Sequence, residues 1–126
     1  MQNQLPPAAQ ETFQQMQVLQ DEAADVAART TRLEEARRAS EDALDAVEDR
    51  DDDTVVYRRV GTVRVRTTAG EVTPTLEERV DSLTTRLEDL ETTEAGLREQ
   101  FENHKEEIKH LLGVPGDGPT APDVDD

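Results

Sequence analysis

Leu76, Val80, Leu83, Leu87, Leu90, Leu97, Phe101, Ile108 and Leu111 recur at alternating spacings of four and three, and only Glu94 and His104 break the stripe. A repeat averaging about 3.5 residues is the pattern of a helix that meets another helix along a narrow seam. Upstream, Met16, Leu19, Ala23, Val26, Thr30, Leu33, Arg37, Ser40, Leu44 and Val47 keep the same rhythm. Ala27, Ala36, Ala43 and Ala46 lie between them, raising helix propensity and letting a second helix come close. Two such stripes around a short β-rich segment predict a mainly α chain. The expected architecture is a long antiparallel two-helix coiled coil joined by a β-hairpin that assembles into an oligomeric β-barrel. A chain of that kind grips or scaffolds; it does not enclose an active site.

The boundaries follow from local chemistry. The spacing predicts a first helix from ~8 to ~50, a hairpin from ~54 to ~68 and a second helix from ~73 to ~112. At 1.5 Å per residue each helix would be about 60 Å long. The acidic run Glu48–Asp53 ends the first, because carboxylates at a helix C-terminus oppose its dipole. Thr54–Val60 and Thr62–Thr68 are rich in β-branched residues, and Val63 and Val65 alternate with Thr62, Arg64 and Arg66 as in a half-buried strand. Gly61 marks the bend between them. A lone two-stranded hairpin is marginally stable in water, so these strands are expected to complete a larger sheet with copies from other chains. Thr73 and Pro74 read as N-cap and first helical residue. Gly113 suits the closing cap. Residues 1–112 then form one ordered unit, and 113–126 a disordered acidic tail. If Val47 faces Leu76, Thr30 lies beside Glu94 and Ala23 beside Phe101.

Composition limits what such a chain can do. It has 126 residues, enough for one domain. Aromatics are 2% and charged residues 35%, too polar for a globular core yet sufficient for a coiled coil, which needs apolar residues at only two positions in seven. The formal charge is −16, with 30 acidic residues against 14 basic, and Arg outnumbers Lys 12 to 2. With no basic stripe in view, no nucleic-acid partner is expected. The acidity is either a partner surface or an adaptation to concentrated salt, and its spread over both helices and the tail favours the second. No cysteine rules out disulfides and thiol chemistry. The opening Met1–Pro7 has no signal-peptide pattern and no apolar run reaches membrane-spanning length, so a cytoplasmic protein with no membrane partner is expected.

Catalytic and metal-binding patterns fail one after another. His104 and His110 are six apart, on different helix faces, and cannot form a metal pair. Asp49, Asp51 and Asp53 imitate the start of a calcium loop, but Thr54 stands where Gly is needed and Val60 where Glu is needed. Gly113, Gly116 and Gly118 neither follow a strand nor open a helix, so no nucleotide loop is implied. Ser40 and Ser82 have no His and Asp set beside them. A two-helix rod offers no concave apolar pocket to tune a carboxylate pair. No enzyme, no metal and no cofactor is expected.

The helix ends opposite the hairpin are different. There Leu5, Phe13, Met16 and Leu19 come together with Ile108, Leu111, Leu112 and Val114, bulky apolar groups where polar ones would serve. Such a cluster either contacts something apolar or staples the two ends together.

Val56-Tyr57-Arg58-Arg59-Val60-Gly61, followed by the alternating strand Val63–Thr67 and flanked by helices of equal length, resembles the β subunit of archaeal prefoldin. Leu5-Pro6-Pro7 and the Gln-rich stretch Gln14–Gln20 are also similar to that family's opening. With the acidity, the resemblance points to a haloarchaeal member. It implies an α2β4 heterohexamer with prefoldin α subunits, whose strands form a double β-barrel platform bearing six coiled coils. It also implies unfolded protein clients, held without ATP at the distal tips and passed to a group II chaperonin. Carried onto this chain, the platform would use Val56, Tyr57, Val60, Gly61, Val63 and Val65. The client-binding tip would use Leu5, Phe13, Met16, Leu19, Ile108, Leu111 and Leu112. A structural coiled-coil scaffold with one specific folded partner is the alternative, distinguished by client range and oligomer composition.

Overall fold

The computed structural model describes residues 5–113. They run α1 (Pro7–Glu48), β1 (Val55–Val60), β2 (Val63–Thr68) and α2 (Ala69–Leu112). The mainly α architecture is as expected, two long helices joined by an antiparallel β-hairpin. The chain divides into two compact units. One joins α1 up to Ala27 with α2 from Glu91, and the other holds Ala28–Leu90. The expected tail lies outside the described residues beyond Gly113.

Helix α1 starts on Pro7, where a missing N–H is harmless, and no Gly or Pro follows before its end. Gln10 fastens the start, its N–H donating to the Pro6 carbonyl at 3.0 Å and its side-chain amide to Leu5 at 2.9 Å. The helix ends at Glu48, slightly before the expected ~50. Arg50 closes it, with its N–H on the Val47 carbonyl at 3.0 Å and its Nε on that of Ala46 at 3.4 Å. The latter places a cation where the dipole favours one.

Both seams are shallow. In the first unit Ala9, Thr12, Leu19, Val26 and Ile108 are buried, while Met16, Ala23, Leu97, Phe101 and Leu111 are half-buried. The α1 stripe thus extends one heptad further upstream than the apolar pattern suggested. Thr12 holds its place because its hydroxyl donates to the Ala8 carbonyl at 3.0 Å. In the second unit Ser40, Ala69, Leu83 and Leu90 are buried, with Leu33, Arg37, Leu44, Val47, Leu76, Val80 and Leu87 half-buried around them. No large side chain among the described residues is fully enclosed. That is the burial two helices alone can give.

The hairpin turns tightly. Val60 pairs with Val63, so Gly61 and Thr62 form a two-residue loop. Gly61 has φ +63°, and no described non-glycine residue has positive φ. That combination is a type II′ turn, whose twist suits adjoining strands. Cross-strand partners share a face. Val56, Val60, Val63 and Val65 therefore lie with Arg58 and Thr67 on one side, and Val55 and Tyr57 lie with Arg59, Arg64 and Arg66 on the other. The half-buried strand expected from the alternation is not found: only Val56, Thr67 and Thr68 are half-covered, and the remaining strand residues are exposed. Among the described residues nothing covers the remaining strand positions on either face.

Helix α2 begins four residues before the expected ~73, directly after β2. Thr68, not Thr73, is its cap, with the hydroxyl accepting the Glu71 N–H at 3.3 Å. Ala69 and Gly70 donate their N–H groups to the carbonyls of Thr54 and Asp52, each at 2.9 Å. Three N–H groups that a helix start normally leaves unpaired are thus satisfied. Pro74 lies inside the helix. Its ring removes the N–H that would have met the Gly70 carbonyl, a loss the well-anchored first turn absorbs.

Candidate functional site

Within the first unit, the N-terminal turns of α1 and the C-terminal turns of α2 carry the apolar cluster. The structure divides it in two. Leu19 and Ile108 are only 7% and 8% exposed, so they close the seam and present nothing to a partner. Met16 and Leu111 are half-buried, and Leu5, Phe13 and Leu112 are only somewhat more open, 37%, 41% and 39% exposed. Val114 lies outside the described residues.

Val18, absent from the expected cluster, is 57% exposed. Periodicity hid it because it falls between seam positions. With each residue turning about 100°, Phe13 and Val18 project from opposite flanks of the Leu19 seam. The buried line therefore has an apolar shoulder on each side.

Each flank also carries a hollow. On the Phe13 flank Leu19, Ala23, Leu97 and Phe101 line a groove of about 250 Å³, with Gln20, Glu94 and Arg98 at its rim. Ala23 and Phe101, the small and large residues expected to face each other, both contribute to it. Glu94 does not enter the seam but pairs with Arg98 at 3.0 Å on the surface. On the Val18 flank Gln15, Val18, Leu19, Gln100 and His104 line a second hollow. His104 is half-buried, its Nδ1 has no hydrogen-bond partner, and Glu107 Oε1 stands 3.5 Å away. Gln15, Gln20 and Gln100 set hydrogen-bonding groups beside these apolar hollows.

The second surface is the hairpin. Val60, Val63 and Val65 are exposed, and Tyr57 on the opposite face is 64% exposed. Gly61 holds the turn between them. No basic stripe was expected, yet these strands hold four arginines, Arg58, Arg59, Arg64 and Arg66, and no carboxylate between Val55 and Thr68. Apolar residues and cations thus flank two strand edges that have no neighbour among the described residues.

Comparison with known proteins identifies the family and the fold. The family model described as "Prefoldin subunit" matches residues 10–114. The prefoldin subunit beta of Methanococcoides burtonii is 29% identical over 116 residues, covering 92% of this chain and 99% of that protein. That of Thermococcus kodakarensis is 32% identical over 118 residues, covering 94% and 100%. That of Halobacterium salinarum is 40% identical over 80 residues, 64% of each chain. Among solved structures, the prefoldin beta subunit from Thermococcus strain KS-1 superposes with a TM-score of 0.79 at 32% identity, covering 91% of this chain and all of that one.

Proposed function

We propose a function on the premise that this chain belongs to the prefoldin family, as a chaperone subunit and not an enzyme. It holds unfolded proteins at the free ends of its two helices, without ATP, and passes them to a group II chaperonin. It does so in the cytoplasm, as one of four β subunits assembled with two α subunits through a shared β-barrel.

The observation that carries this reading is the layout of the helix ends. Leu19 and Ile108 already close the seam, while Leu5, Phe13 and Leu112 keep 37–41% of their surface open to solvent and Val18 57%. Exposed apolar groups set around a finished seam are contact groups. Each patch is small and binds weakly. Several patches on one platform hold a flexible client together through effective concentration, while each lets go quickly. The acidic surface and the likeness to the Halobacterium salinarum subunit support work in concentrated salt, where apolar contacts strengthen and a small patch suffices.

The test is to replace the exposed groups and leave the buried ones. Phe13→Ser with Val18→Ser and Leu112→Ser should abolish suppression of client aggregation. Light scattering should still find the mixed complex with an α subunit. Loss of that complex, or unchanged suppression, would refute the assignment of these residues to client holding.

A further inference from the structure

Charge is unevenly spread along α1. From Pro7 to Gln20 its one charged residue is Glu11, whereas from Asp21 to Glu48 it holds nine carboxylates. Glutamine takes the polar positions near the start: seven of the chain's eight lie in the first twenty residues. The eighth, Gln100, lines a hollow with Gln15. Both lysines of the chain, Lys105 and Lys109, stand in the closing turns of α2.

The two flanks of the seam differ in charge. At about 100° per residue, Glu11 and Glu22 fall on the Val18 flank, while Asp21 and Asp25 turn away from the seam. Between Pro7 and Ala27, α1 therefore sets no carboxylate on the Phe13 flank. On α2 that flank carries Glu94, Arg98, Lys105 and Lys109, with Glu102 further round toward the back of the helix. Glu94 is the one carboxylate lining the groove there, and Arg98 neutralises it at 3.0 Å. Lys109 stands 3.6 Å from Glu106. Lys105 is exposed and pairs with no carboxylate among the described residues. It follows Arg98 by two turns, about 10 Å along the helix, with Phe101 between them.

We propose that the groove on the Phe13 flank takes acidic apolar segments of unfolded chains, an apolar side chain lying against Leu97 and Phe101 while carboxylates of the same segment meet Lys105 and Arg98. The inference rests on the client-holding function proposed above and adds the class of client. The spacing suits it, because an extended segment rises about 3.3 Å per residue and carboxylates three residues apart span the two cations. A chain of net charge −16 repels acidic segments over most of its surface. Here the opposing charge is missing and a cation takes its place. Apolar contact supplies the hold, and charge supplies the choice. Beside an apolar groove such contacts are screened by salt less than fully exposed ones are.

Two fluorescent unfolded peptides test it, with the same spaced leucines and either glutamate or glutamine between them. Their anisotropy is followed on the full chain, at the lowest salt that preserves its helical circular dichroism. Lys105→Glu should weaken the glutamate peptide several-fold and leave the glutamine peptide unchanged. Arg32→Glu, the same charge change outside this unit, should alter neither; a loss equal to that of Lys105→Glu would reduce the effect to net charge and overturn the proposal. Glu94→Gln, which frees Arg98, should tighten the glutamate peptide several-fold, and keeps the test open should Lys105→Glu misfold. Equal responses of the two peptides to Lys105→Glu or to Glu94→Gln would overturn the proposal. So would binding of the glutamate peptide only by a chain ending at Gly113, since the chain's own acidic end would then be the occupant. Phe13→Ser with Leu112→Ser separates the two readings. Both peptides unaffected would refute client holding at these ends, whereas both weakened, with no response to charge, would refute only the acidic class.

Discussion

The N–H of Gly70 donates to the carbonyl of Asp52 at 2.9 Å, tying the first turn of α2 to the loop that follows α1. The approach leaves no room for a side chain: a Cβ on Gly70 would lie 3.0 Å from Asp52 Cβ, 3.1 Å from its carbonyl oxygen and 3.3 Å from its Cα. Two of those atoms are backbone, held by the very bond in question. Ala is the better helix former by about 1 kcal/mol. Here that gain is outweighed by displacing Asp52 and weakening its hydrogen bond, worth about 1 kcal/mol or more together with the strain. Gly70→Ala should therefore lower the urea midpoint of unfolding. A higher midpoint would mean the loop yields freely.

Pro74 gives the opposite case. It is exposed, so no packing is lost with it, and its ring removes the donor to the Gly70 carbonyl. Pro74→Ala should stabilise the chain by about 1 kcal/mol, less than the roughly 3 kcal/mol of a helix interior because the first turn is anchored by the loop. Thermal unfolding followed by circular dichroism would check it, and a lower transition temperature would show that the fixed proline φ matters more than the missing bond.

Pro74 also shows where sequence reading reached its limit. The reading at Thr73-Pro74 passed over Thr68-Ala69-Gly70-Glu71, which carries the capping-box spacing. The choice was settled by Asp52 and Thr54, whose carbonyls are local to neither candidate and meet Gly70 and Ala69 only after the hairpin has formed. Heptad spacing located the seams, because it states which side chains share a face. It could not separate Leu19 from Phe13, both large and apolar, since exposure depends on which flank of the seam a residue occupies. It passed over Val18 for the same reason, and over the hairpin arginines because sequence order conceals that Arg59 and Arg64 are neighbours.

Arg37 occupies a seam position, half-buried, and its Nη1 donates to Thr84 Oγ1 at 3.4 Å. A charged group in such a place needs its partner. Thr84→Val should cost about 0.5–1 kcal/mol, as a long hydrogen bond is lost and the guanidinium is left less satisfied. In the background of Arg37→Leu, which puts an ordinary seam residue in its place, the same change should cost nearly nothing. A double-mutant cycle from urea melts measures the difference as the coupling between the two. Equal costs in both backgrounds would mean that Arg37 satisfies itself with water, and that the hydroxyl contributes nothing to it.

Ala23 is the smallest side chain lining the groove it shares with Leu19, Leu97 and Phe101. Ala23→Leu extends apolar atoms into about 250 Å³ of concave space on the same flank as Phe13. At about 0.8 kcal/mol for each methylene removed from water, partial filling should stabilise the chain by about 1 kcal/mol. If the groove shelters side chains of an unfolded client, the same substitution should weaken suppression of aggregation while raising the melting temperature. Stability and function then move in opposite directions, which a general disturbance of the helix ends cannot produce. A variant that is both more stable and equally protective would confine client contact to the exposed shoulders, Phe13, Val18 and Leu112.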